Sequence, residues 1–182
     1  MTSRHILIKN IKIVNEGKVK EGDVLIKGQR IEKIADSITE PPGKISIIDA
    51  SGDYLLPGMI DDQVHFRDPG LTQKADIHTE SIAAVAGGVT SFMDMPNTIP
   101  NTLTQELLEE KYQLGAKKSI ANYSFFMGVN KNNIEEVLKT DNENVCGVTD
   151  DGLYFDDDEG ILANYPDYLD ILFSKVDTLI AL

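Results

Sequence analysis

Strand-like and helix-like runs alternate along residues 54–182, and this alternation restricts the fold more than any single motif. The strand-like runs are "YLLPGMIDDQVHF", "VTSFMDM", "SIANYSFFMGV", "NVCGVT" and "DTLIAL". The first is apolar enough to predict a buried strand. Between them, "TQKADIHTESIAAVAGG" predicts a helix with Ile77, Ser81, Ile82, Ala84 and Val85 on one side and Gly87-Gly88 as its stop. Thr102 with Gln105 forms a capping-box pattern for "LTQELLEEKYQLG", ending at Gly115. "NNIEEVLK" predicts a short helix, and "EGILANYPDYLDILFSK" a longer one that Pro166 must start or kink. The strands recur at roughly the length of a βαβ unit, which implies a parallel sheet. An open doubly wound sheet and a (β/α)8 barrel both satisfy that pattern. No G-x-G-x-x-G follows the first strand, which weakens a dinucleotide-binding reading.

Residues 1–53 have a different rhythm. "HILIKNIKIVN" alternates Ile6, Ile8, Ile11 and Ile13 with polar residues, with a phase slip at Asn10. "DVLIKGQRIEKIA" reads as two strands about a Gly28-Gln29 hairpin turn, "EPPGK" breaks the chain, and "ISIIDA" resumes a strand. The sequence therefore divides into an N-terminal β-segment, 1–53, and an α/β segment, 54–182.

The 182 residues suffice for an ordinary core, and the 41% hydrophobic content is that of a globular chain. The net charge of −13 argues against nucleic acid or an anionic membrane surface as partner, although a local arginine can still bind a small anion. A lone cysteine, Cys146, cannot form an internal disulfide. With no signal-peptide pattern and no apolar run near the ~20 residues that span a bilayer, the expected compartment is the cytoplasm.

Three stretches carry chemistry. "IDDQVHFRDPG" places Asp61, Asp62, Gln63, His65 and Arg67 at the end of the first α/β strand. Strand alternation puts Asp61, Gln63, His65 and Arg67 on one face and Asp62 and Val64 on the other. A histidine beside a carboxylate suits a divalent metal, but on spacing alone a single histidine held by a core hydrogen bond is the commoner arrangement. In "DMPNTIPN", two prolines stiffen the loop and Asn97 offers both a donor and an acceptor. In "VTDDG", Asp150 and Asp151 serve equally well to bridge metals or to turn the chain into Gly152. His5, in a strand, and His78, on a helix beside polar residues, are read as non-ligands. The run Asp156–Glu159 reads as a solvated loop and helix N-terminus.

"LLPGMIDDQVHFRDPG", "AAVAGGVTSFMDMPNTIPNT" and "VTDDG", in this order, resemble the dihydroorotases of class I type within the amidohydrolase superfamily. The first fifty residues resemble that superfamily's N-terminal β-segment. The resemblance implies a partial (β/α)8 barrel preceded by part of a small β-sandwich, and interconversion of dihydroorotate and N-carbamoyl-aspartate in pyrimidine biosynthesis. It implies zinc, one or two ions, held by His65, by Gln63 where the family has its first histidine, and by one of Asp150 and Asp151. It gives Arg67 and Asn97 the substrate carboxylate. A barrel typically takes ~250 residues, so the general base and further metal histidines are expected beyond Leu182, and this chain alone is expected to be inactive. A half-barrel leaves a strand edge and apolar faces uncovered, which invites aggregation or pairing. The partner expectation that the resemblance implies is a homodimer or aspartate carbamoyltransferase. Two alternatives stand beside this reading. One is a non-catalytic scaffold for aspartate carbamoyltransferase, motivated by Gln63. The other is a dihydropyrimidinase or allantoinase, whose substrates lack the carboxylate.

Overall fold

The computed structural model describes residues 5–151, 153 and 166–182. It contains two compact units, Met1–Pro57 and Gly58–Leu182.

In the first unit, β1 (His5–Asn15) pairs antiparallel with β2 (Lys18–Lys27), which pairs antiparallel with β3 (Arg30–Ala35). β4 (Ile45–Asp49) and β5 (Tyr54–Leu55) pair parallel with β1, giving five strands in one sheet. The hairpin turn lies at Gly28-Gln29 as the sequence predicts, with Gly28 in the left-handed region at φ 62°. The phase slip at Asn10 is a bulge. Its φ is 56° and the β1–β2 register shifts between Ile8 and Ile11. The shift returns Ile11 to the buried face, where it packs with Val24 and Ala50.

Buried Asp23 supports this bulge. Its carboxylate accepts the Asn10 N–H at 3.0 Å and the Ile38 N–H at 2.9 Å. These two donors hold the Asp23 carboxyl below its ordinary range. A depressed carboxylate stabilises the fold above its unfolded pKa, and the contribution is lost as pH falls through the lower folded value. Asp23→Asn turns an NH2 toward one of the two N–H groups. We expect it to lower stability by about 1–3 kcal/mol at pH 7. The gap from wild type should narrow in the acid limb, as read by urea unfolding at pH 7 and pH 3.

The second unit holds five parallel strands in sheet order β10-β9-β8-β7-β6. They are β6 (Met59–Val64), β7 (Val89–Asp94), β8 (Asn122–Gly128), β9 (Gly147–Thr149) and β10 (Ile180–Ala181). Sheet order follows chain order without reversal. A doubly wound sheet must reverse, so the barrel arrangement is the one adopted. The helices are α1 (Ile77–Ala86), α2 (Gln105–Lys118), α3 (Ile134–Val137) and α4 (Pro166–Lys175). Phe66, Ile77, Phe92, Leu108, Phe125 and Leu172 belong to one apolar cluster between helices and sheet.

Several sequence expectations change in detail. β6 is not buried. It is the last strand in the sheet order, and Met59 and Ile60 are exposed. Tyr54-Leu55 belongs to the first sheet, so the contact boundary falls at Pro57 rather than after residue 53. The α1 helix begins at Ile77 because Asp76 caps it, accepting the His78 and Thr79 N–H groups. Ile77 and Ser81 are buried, while Ile82 and Val85 are exposed. The α2 cap is Thr104, which accepts the Leu107 N–H at 3.2 Å. Thr102 instead lies buried in the preceding loop, donating its N–H to Pro96 O and accepting that of Gly128. Gly115 does not end α2. It lies within the helix, where the Tyr123 ring leaves no room for a Cβ. The acidic run Asp156–Glu159, Gly152 and the first part of the helix expected over 159–175 lie outside the described residues.

Candidate active site

Parallel strands bring their C-terminal ends to one side, and the chemistry-bearing residues gather there. β6 bulges near its end: Asp61 pairs with Phe92 but Val64 with Asp94, so three steps on β6 match two on β7. The bulge breaks the alternation expected over Asp61 and Asp62, and Asp62 and Gln63 line the same cavity with Met95, Thr149 and Asp151. Beyond it the alternation resumes. Gln63 and His65 turn toward Asp151, while Val64 and Phe66 pack in the core.

Gln63 Nε2 donates to Asp151 Oδ2 at 2.8 Å, and His65 Nε2 stands 3.7 Å from that oxygen. The Thr149 hydroxyl accepts the Asp151 N–H at 3.0 Å and fixes the turn that carries the carboxylate. Asp151 thus reaches both Gln63 and His65. The other His65 nitrogen, Nδ1, lies 3.0 Å from Asn97 Oδ1. Asn97 is buried, and its Nδ2 has no hydrogen-bond partner among the described residues. Arg67 occupies the left-handed region at φ 62°, where a side chain costs roughly 1–2 kcal/mol, and donates from its guanidinium to Asn97 O at 3.5 Å. Five of the six predicted site residues thus adjoin one another: Gln63, His65, Arg67, Asn97 and Asp151. Asp150 accepts the Leu153 N–H through its carbonyl. Among the described residues, no three His, Cys, Asp or Glu side chains converge as a metal-binding group.

Two ion pairs not foreseen from the sequence, one buried and one partly exposed at Lys118, adjoin this arrangement. Asp94 Oδ1 accepts the Phe66 N–H at 2.8 Å, and Lys111 Nζ lies 2.7 Å from Asp94 Oδ2 and donates to Met95 O at 2.6 Å. Burial pushes the Lys111 ammonium below its ordinary range, and Asp94 pulls it back in part. Asp68, one residue after Arg67, pairs with Lys118 Nζ at 2.6 Å and accepts the Ile77 N–H at 3.4 Å. Lys111 and Lys118 are seven residues apart on α2, so they share a helix face. The available signal was Lys111 itself, which falls in the stripe Leu108, Lys111, Gly115 that α2 buries.

The two site loops also interlock. The Ile99 N–H donates to Pro69 O at 3.1 Å, and Gly70, at φ 86°, lies against Ile99. A Cβ at Gly70 would stand 2.6 Å from Ile99 Cβ. Gly70→Ala combines that clash with a left-handed alanine, and we expect a loss of about 2–4 kcal/mol in chemical unfolding. A change below about 0.5 kcal/mol would mean that the loops separate freely.

Comparison with known proteins places these features in a family. Residues 52–159 match the family profile described as Dihydro-orotase-like. A dihydroorotase of Streptococcus thermophilus (strain CNRZ 1066) is 38% identical over 156 residues, covering 81% of this chain and 36% of that protein. A dihydroorotase of Methanosarcina acetivorans is 39% identical over 127 residues, covering 70% of this chain and 27% of that protein. The L-hydantoinase (dihydropyrimidinase) of Arthrobacter aurescens superposes with a TM-score of 0.74 at 26% identity, covering 79% of this chain and 32% of that one. The dihydropyrimidinase of Brevibacillus agri NCHU1002 superposes with a TM-score of 0.68 at 27% identity, covering 80% and 32%. The chain spans about a third of the length of the relatives it matches. With the profile covering more than half of its residues, the chain belongs to the dihydro-orotase-like family.

Proposed function

We propose that the protein is a cyclic amidohydrolase acting on dihydroorotate and N-carbamoyl-aspartate, in the cytoplasm. The observation that carries this reading is the pairing of two residues: the Arg67 guanidinium donates to the Asn97 backbone carbonyl at 3.5 Å, and the buried Asn97 side-chain amide has an Nδ2 with no hydrogen-bond partner among the described residues. A buried unpaired donor is costly unless a ligand accepts from it. An amide donor and a guanidinium on adjoining residues suit a carboxylate.

For the metal, His65 Nε2 and Asp151 Oδ2 are 3.7 Å apart. Two ligands on one tetrahedral zinc stand roughly 3.4 Å apart, so this pair fits as two ligands. Gln63 fits as a third only with its amide turned over, because here its nitrogen faces Asp151. Bound zinc would supply a polarised ring carbonyl and a water acidic enough to attack at neutral pH. The residues of this chain would orient the ring: Arg67 and Asn97 hold its carboxylate, and His65 and Asp151 hold the metal near the scissile amide.

The hydantoinase-type alternative uses rings without that carboxylate and leaves Arg67 and Asn97 unemployed. The scaffold alternative, with aspartate carbamoyltransferase as partner, rests on the Gln63–Asp151 hydrogen bond, which engages the carboxylate without a metal. Two zinc ions per chain would count against it. Binding discriminates the substrate class. N-carbamoyl-aspartate is expected to bind at least tenfold tighter than N-carbamoyl-β-alanine, which lacks one carboxylate. Equal affinities would remove the carboxylate site.

A further inference from the structure

The last ladder pair between β6 and β7 is Val64 with Asp94, and the Met95 N–H still donates to Val64 O at 2.9 Å. Past that point side chains take over from the ladder. Asp94 Oδ1 accepts the Phe66 N–H at 2.8 Å, and Asp94 Oδ2 lies 2.7 Å from Lys111 Nζ. The same ammonium donates to Met95 O at 2.6 Å and lies 5.0 Å from the centre of the Phe125 ring. One side chain of α2 therefore ties the end of β7 to the end of β6. Phe66 lies between His65 and Arg67, and Met95 lies two residues before Asn97. Farther along, the two loops meet again where the Ile99 N–H donates to Pro69 O at 3.1 Å.

Stability alone does not account for this pair. Taking two charges out of water is costly, and buried pairs replaced by apolar side chains of similar volume often leave stability unchanged or higher. What apolar packing cannot supply is direction. A cation fixed on two acceptors, one of which also holds a neighbouring strand's N–H, sets where each must stand. We propose that Lys111 is a positioning residue: by holding Asp94 and Met95 O together it sets the separation of the segments 65–67 and 95–97. The reading of turnover below rests on the function proposed above, and the reading of exchange does not.

The test is amide hydrogen exchange on the native gene product, as wild type and as Lys111→Met/Asp94→Asn, with urea unfolding alongside. The double variant removes both charges and keeps an oxygen at position 94 for the Phe66 N–H, so its urea midpoint should stay near that of wild type. Exchange is read at Phe66 and Ile99 relative to Val148, whose N–H bonds Leu179 O at 2.9 Å. Both ratios should rise at least about tenfold in the variant, because the site segments then open locally while the rest of the sheet does not. KM for dihydroorotate should rise about 10–100-fold, with kcat within a few-fold. A merely structural pair would restore the ratios and KM together with the midpoint. Unchanged ratios, or an unchanged KM in an active variant, would overturn the inference.

If the double variant does not fold, Lys111→Gln/Asp94→Asn takes its place, since glutamine is shorter than lysine and cannot keep both contacts. Wild type carries a test of its own. Its Phe66 N–H should exchange within about tenfold of Val148, and faster exchange than that would mean that the cluster does not hold the end of β6. Failure here is separable from failure of the proposed function. Loosened exchange in the variant of a protein that opens no dihydroorotate sinks only the hydrolase reading. Wild-type turnover with ratios that do not move sinks only this inference.

Discussion

Lys111→Met is expected to destabilise the second unit by about 3–5 kcal/mol, because it strands the Asp94 carboxylate without its cation. Lys111 and Asp94 are each about 1% exposed, so water cannot replace the lost partner. Lys111 also donates to Met95 O and lies 5.0 Å from the centre of the Phe125 ring, so its stem and head are both engaged. The change should appear as a lower urea midpoint with an unchanged denaturant slope. Adding Asp94→Asn should restore much of the loss, since asparagine is neutral and can still accept the Phe66 N–H. A single variant within about 1 kcal/mol of wild type would mean that the pair carries no such burden.

In the native gene product, if it opens dihydroorotate as proposed, Arg67→Ala is expected to raise KM for dihydroorotate roughly 100-fold, about 2.7 kcal/mol, while kcat moves only a few-fold. A guanidinium that binds the non-reacting carboxylate acts equally on ground state and transition state, which places the loss in KM. Arg67→Lys should fall between the two, keeping a charge but not the planar fork. Steady-state kinetics on the three proteins read this directly. An unchanged KM in the alanine variant would remove Arg67 from the substrate.

Much of the architecture was legible because it depends on period and punctuation. The strand–helix alternation, the Gly28-Gln29 turn and the phase slip at Asn10 are each written in a few neighbouring residues, and each has its counterpart in the structure. Sequence order alone did not choose between barrel and doubly wound sheet, because both share the local pattern. The unreversed strand order decides it. The misplaced α2 cap has a local cause. Thr102 and Thr104 both precede the helix, and the Thr102 N–H to Pro96 O and Gly128 N–H to Thr102 O bonds, made only in the fold, show that Thr102 serves the loop.

The residue types that gather at the strand ends were legible in the sequence, and their geometry was not. Simple alternation predicts opposite faces for Asp62 and Gln63, yet the β6 bulge puts both on one cavity. A bulge depends on how β6 meets β7, which no short window of sequence contains. The Lys111–Asp94 and Lys118–Asp68 pairs join residues 17 and 50 positions apart and look like ordinary surface charges in the sequence. The resemblance to dihydroorotases brought His65, Arg67 and Asn97 forward together. The His65–Asn97 contact became visible only with the fold.

The most direct test of the central claim is ring opening by the native gene product, followed in parallel on dihydroorotate, hydantoin and allantoin at neutral pH with zinc supplied. The account predicts that dihydroorotate is opened to N-carbamoyl-aspartate with the highest kcat/KM, because only it carries the carboxylate that Arg67 and Asn97 are proposed to hold. Faster opening of hydantoin or allantoin, or no turnover of any ring by zinc-loaded protein, would contradict it.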